Sequence, residues 1–205
     1  MGNGNEDNSD STVYISGAFG KLTMGDTGNA ADALVGQVSG VGYTSLGSYN
    51  EISWLGKDTT GAMYEYSAGA LTFAVGAGQV NASEDFVSAA VKYSTDAYSV
   101  ALGYESNNSE DSQVSALGSA TFSGATVKAK VAKADGEDTE YALSLDYGIS
   151  GATVTGFYSH DYNDADSYGI GASYDLGGGA SVVGGLVNTD YLDDTVFDLG
   201  VKMSF

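Results

Sequence analysis

Val196-Phe197-Asp198-Leu199-Gly200-Val201-Lys202-Met203-Ser204-Phe205, the last ten residues, alternate strictly in polarity. Phe197, Leu199, Val201, Met203 and Phe205 occupy one set of positions, while Asp198, Gly200, Lys202 and Ser204, with a single Val196, occupy the other. Side chains of a strand point to opposite faces in turn, so one face is wholly apolar and the other is charged, small or polar. The same pattern recurs in Tyr98–Glu105, Glu140–Tyr147 and Ser167–Leu176. Across the three, Tyr, Leu, Ile and Val, with Ala172, alternate with Ser, Gly, Ala, Glu and Asp. A dry core would not accept those carboxylates unpaired. The polar face therefore meets water, and the apolar face meets something else.

Composition narrows that something. The chain has 205 residues with 30 Gly, 15 Tyr, no Pro and no Cys. That length suits one large all-β unit. The missing Cys removes disulfides and thiolate metal sites. No run of about 18 apolar residues is present, which excludes a membrane-spanning helix. Seven Lys against 27 acids gives a net charge of −20. No Arg occurs, an imbalance that argues against nucleic acid as a partner and favours cations. The polar leader 1–11 lacks the basic and apolar regions of a signal peptide.

Glycine- and serine-bearing turns recur at Ser67-Ala68-Gly69, Ser94-Thr95-Asp96, Ser123-Gly124, Ile149-Ser150-Gly151 and Gly177-Gly178-Gly179. Their spacing is about 27 residues, enough for two strands of ~10 residues and a loop, the strand length that crosses a bilayer when tilted. Between them lie longer acidic connections: Glu84-Asp85, Glu110-Asp111, Asp135 to Asp138, Asp161 to Asp166, and Asp190 to Asp194. Short turns on one rim and acidic loops on the other are the sidedness of an outer-membrane barrel. The fold class expected is thus all-β, a transmembrane antiparallel up-and-down β-barrel over 12–205. About thirteen strands are counted, beginning with Thr12–Ala18 and Lys21–Gly25.

One connection breaks the rhythm. Asp26 to Thr60 is too long for a hairpin loop and carries Leu34, Val35, Val41, Tyr43, Leu46, Ile52, Trp54 and Leu55. A loop this long inside a compact fold is usually functional. Folded into the lumen, it buries those residues against the wall and narrows the channel. Its acids Asp26, Asp32, Glu51 and Asp58, with Lys57 as its single base, become candidate ion-selective groups at a constriction. Trp54 is expected to anchor the loop. Lys92, Lys128, Lys130 and Lys202 lie on polar strand faces and are candidates for the positive side of a transverse field.

No catalytic constellation stands out. His160 is the only histidine and sits beside Asp161 at a strand end, the position of a solvated rim residue. Gly169-Ile170-Gly171 lies within an alternating strand with no helix after it, so it is not a phosphate loop. Calcium takes hard oxygen ligands, and Asp135, Glu137 and Asp138 form the densest candidate set, with Asp190 to Asp194. Neither set has the spacing of a twelve-residue calcium loop, and solvated rim acid is their ordinary role.

The chain resembles the trimeric general porins of the bacterial outer membrane, of the alphaproteobacterial, Rhodobacter type. The matching stretches are Val13–Gly25, Tyr64–Ala70, Gly169–Gly185 and the terminal Phe205, across nearly everything after Ser11. The resemblance implies a sixteen-stranded barrel with an aqueous channel. It also implies a third external loop folded inward, here Asp26–Thr60, a terminal Phe read by the assembly machinery, and a homotrimer. About three of the family's first strands have no counterpart, which suggests a shortened member, and the family's trimer contact includes strands near that end. The family's Arg cluster at the constriction is missing as well. The expected function is passive diffusion of ions and small hydrophilic solutes, with cation preference. The rivals are a secreted acidic calcium-binding structural or adhesive β-protein and a solute-specific transporter.

Overall fold

The computed structural model describes residues 11–55, 60–81, 84–107 and 111–204. Leader residues 1–10, the candidates Lys57 and Asp58, and the terminal Phe205 lie outside them. Among the described residues thirteen strands form one sheet: β1 (Thr12–Gly17), β2 (Gly20–Asp26), β3 (Thr60–Ala68), β4 (Leu71–Asn81), β5 (Glu84–Ser94), β6 (Tyr98–Asn107), β7 (Ser112–Phe122), β8 (Ala125–Ala134), β9 (Thr139–Ile149), β10 (Ala152–His160), β11 (Asp166–Gly177), β12 (Ala180–Thr189) and β13 (Val196–Met203). Each pairs antiparallel with its neighbours in chain order. No ladder joins β1 to β13 among the described residues.

The turns fall where the glycines and serines put them. At the β7–β8 and β9–β10 turns, Ser123 (φ 49°) with Gly124 (φ 81°), and Ser150 (φ 45°) with Gly151 (φ 85°), take positive φ at both central positions. That is the primed turn whose twist matches a hairpin. On the opposite rim the connections are shorter than expected, since Glu84 and Asp85 already belong to β5. Only Asp26 to Thr60 is long, and its bounds coincide with the ends of β2 and β3.

Burial across the sheet is the reverse of a soluble protein's. Leu102, Leu143, Leu145, Ile170, Phe197 and Leu199 are 48–75% exposed, whereas their strand neighbours Ala101, Glu105, Ala142 and Ser144 are at most 3% exposed. Along the outer face, aromatics gather in two belts. Tyr66, Phe73, Tyr93, Tyr98, Phe122, Tyr147 and Tyr174 lie near the short turns; Tyr104, Tyr141 and Tyr168 lie near the acidic rim. Girdles of this kind flank an apolar band in membrane barrels.

Among the described residues, three clusters of buried apolar side chains form where residues 27–55 meet the inner face. Ala30 and Leu34 pack with Met63, Ala74 and Ala90. Val35, Val38 and Ile52 pack with Ala101, Leu117, Ala132 and Ala142. Val41 packs with Phe157 and Val187. Ser39 bonds Asp146 on β9, and Tyr43, four residues further on, bonds Asp198 on β13, so this short run crosses the inner face over five consecutive strands.

Candidate functional site

The inward segment begins with a helix that the hydrophobic pattern did not announce. Helix α1 (Ala30–Val35) is capped by Asn29, whose Oδ1 accepts the Asp32 N–H at 2.6 Å, and it ends at Gly36 (φ 69°). The signal was present as an Asn immediately before a short helix-compatible run and a Gly after it. α1 lies so close to β6 that a Cβ on Gly103 would sit 2.7 Å from the Ala31 Cβ and 2.9 Å from Val35 Cγ2. Only glycine admits the helix there.

Beyond α1 the wall grips the segment through polar side chains from successive strands. Ser88 Oγ on β5 accepts the Ala30 N–H at 2.9 Å. On β9, Ser144 Oγ accepts the Ser39 N–H at 3.0 Å, and Asp146 accepts the Ser39 hydroxyl at 2.6 Å. Ser159 on β10 donates to the Tyr49 carbonyl. Asp198 on β13 takes the Tyr43 N–H, the Thr44 N–H and the Thr44 hydroxyl. The contacts from β5, β9 and β10 satisfy loop polar groups that are wholly or partly buried, whereas those of Asp198 lie at an exposed site.

The densest part surrounds Lys130 on β8, which is 3% exposed. Its Nζ donates to Gln37 Oε1 at 2.8 Å and lies 3.5 Å from the centroid of the Trp54 ring. Gln37 in turn donates to the Ile52 carbonyl at 2.8 Å and accepts the Ile52 N–H at 3.1 Å. Gln113 on β7 donates to the Ser53 carbonyl at 2.9 Å and to Glu105 at 3.0 Å. The Ser53 N–H is held by Glu140. Asp32, Glu140, Glu105 and Glu51 all act electrostatically on Lys130. Four acidic side chains thus act on this one ammonium.

Asp32 and Glu51 thus both contribute to the field at Lys130. Asp26 instead ends β2, where it accepts the Thr60 hydroxyl at 2.7 Å and the Ser11 N–H at 3.3 Å, clamping the base of the segment. Register places Lys92, Lys128 and Lys202 on the inner face with Lys130; Lys92 and Lys128 are half-buried and Lys202 is exposed. Asp135 caps Ser112 through its N–H and hydroxyl, and Glu137 and Asp138 are exposed on the rim. Among the described residues no group of three or more His, Asp or Glu is arranged to hold a metal ion. His160 stacks on Tyr141 and meets Asp166 at 2.7 Å, on the rim. Gln37, Gln113, Glu105, Ser88 and Asp198 were not singled out beforehand; the available signal was their place on inward strand positions or in the long connection.

Away from the segment the inner face stays open. A groove of about 510 Å³ near the short turns is lined by Ser16, Lys21, Glu65, Ser67 and Thr72, with Lys21 and Glu65 paired at 3.6 Å. A model of the Gram-negative porins matches residues 1–194. The chain belongs to the Gram-negative porin family. Over 80 residues it is 42% identical to the porin of Rhodobacter capsulatus, a stretch covering 35% of this chain and 27% of that relative's length. A porin structure refined at 1.8 Å superposes with a TM-score of 0.83 at 33% identity, covering 95% of this chain and 80% of the other. An engineered variant of the Rh. blastica porin gives 0.80 at 20% identity, covering 95% and 76%. This porin is thus an outer-membrane protein of a family without enzymatic activity, and its outer apolar face with two aromatic belts is the face such a protein turns to lipid.

Proposed function

We propose that this porin forms a water-filled conduit for passive diffusion of ions and small hydrophilic solutes across the outer membrane. Residues 27–55 lie in the lumen as its constriction, and cations are preferred. The observation that carries the proposal is the fastening of this one long connection to the polar inner wall by side chains of β5, β7, β8, β9, β10 and β13. A segment held so firmly across a hydrated face narrows the passage without closing it. Cation preference is supported by Asp32 and Glu51 beside the buried Glu105 and Glu140, and by the net charge of −20. Charges lining a constriction set which ions pass. Lys92, Lys128 and Lys202 supply the opposing side of a transverse field. A secreted soluble β-protein would bury its tyrosines and leucines, and here they face outward.

Planar-bilayer recording in a salt gradient tests this. Steady conductance steps are expected, with a reversal potential on the cation side that moves toward zero in Asp32→Asn and Glu51→Gln. Absence of steps, or anion preference, would overturn it.

A further inference from the structure

We infer that Lys130 is a positioning residue that fastens both legs of the inward segment to the wall and holds the aperture at one size, and is not a charge that passing ions meet. This rests on the channel proposed above and assigns a role within it. Gln37 belongs to the outgoing leg of the segment and Trp54 to the returning leg, and Lys130 touches both, at 2.8 Å and 3.5 Å. Gln37 also clips the legs to each other through both main-chain groups of Ile52. The two legs and β8 therefore share one fastener. A lysine ammonium has three donors and no acceptor. Here it is spent on an amide oxygen, an aromatic face and the field of Asp32, Glu140, Glu105 and Glu51.

At 3% exposure Lys130 offers an ion in transit almost no surface. Lys128 is its internal contrast: same strand, same face, two residues away, yet half-buried and bonded to nothing in the segment among the described contacts. The two lysines divide the work. Lys128 faces the water, and Lys130 holds the segment.

The test uses the full chain refolded in lipid, with Trp54, the only tryptophan, as a built-in probe of segment release. Lys130→Met and Gln37→Leu are expected to behave alike although only one removes a charge. Both should give flickering current over several levels, red-shifted Trp54 emission, stronger quenching by an aqueous quencher and faster protease cleavage in the segment. Lys130→Arg should restore the steady level. Lys128→Met should shift the reversal potential and leave current and emission quiet. The inference is overturned if Lys130→Met keeps steady current and unshifted emission, or shifts the reversal potential as Lys128→Met does while Gln37→Leu is silent. Should Lys130→Met not fold, Gln37→Leu, which alters no strand residue, decides the matter. Loss of the channel proposal itself would read differently: no conductance from the unsubstituted chain, with Trp54 emission still reporting release in the variants.

Discussion

Leu143→Arg separates a lipid-facing wall from a wetted one more sharply than any other single change. Leu143 is 50% exposed on the outer face of β9, between Ala142 and Ser144, which are buried on the inner face. β9 has 11 residues. At ~3.4 Å per residue and a tilt of ~45° they rise about 26 Å, the height of the apolar band in such barrels. Leu143 is the fifth of them, which puts it within ~3 Å of the band's middle. An arginine at that depth costs about 2–4 kcal/mol, roughly a 30- to 800-fold loss in the folding equilibrium. Ile149→Arg, at the end of the same strand and equally exposed at 50%, sits ~12 Å from the middle and should cost about 0–1 kcal/mol. Denaturant titration of refolding into lipid vesicles measures both. In a soluble protein either substitution, at a half-exposed site with no polar partner, would stay within about 0.5 kcal/mol. If Leu143→Arg and Ile149→Arg are equally mild, and the protein folds in plain buffer, the outer face does not meet lipid.

Gly103→Val forces a side chain into the space held by Ala31 and Val35. It should lift α1 at a cost of about 1–3 kcal/mol, read as altered channel conductance with the strands intact by circular dichroism. Asp198→Ala removes the acceptor for Tyr43 and Thr44. Amide exchange at those two residues should rise about tenfold, matching a charged hydrogen bond of ~1.4 kcal/mol at a partly exposed site. On the acidic rim, Tyr191 donates to Asp161, and this bond holds its phenol above the ordinary tyrosine range. Because the protonated form is favoured, the clasp is complete below about pH 10 and is lost as pH rises through the shifted value. A phenolate titration of Tyr191→Phe should lack one late-titrating tyrosine.

Local pattern was enough for the wall. Strict alternation in β6, β9, β11 and β13, turn residues about every 27 positions, and an interruption bounded by Asp26 and Thr60 follow from a period-two side-chain geometry, which any reader of the chain can apply. The same pattern says which strand residues share a face, and so it set Lys92, Lys128, Lys130 and Lys202 together. It also showed that Leu34, Val35, Val41 and Ile52 needed a surface to cover. It could not say what each inward group would touch. Periodicity treats Lys128 and Lys130 as equivalents: same residue type, same strand, same side. Only the path of the segment across the sheet brings Gln37 and Trp54 onto one of them, because those partners lie 93 and 76 positions away in the chain. Separation in sequence likewise hid the grip of Asp198 on Tyr43 and Thr44, about 155 positions away; Asp26, by contrast, bonds Thr60 across the adjacent β2–β3 ladder at the base of the segment. Which face a residue takes is a local property of the strand; what it meets there depends on chain closing over it from far away.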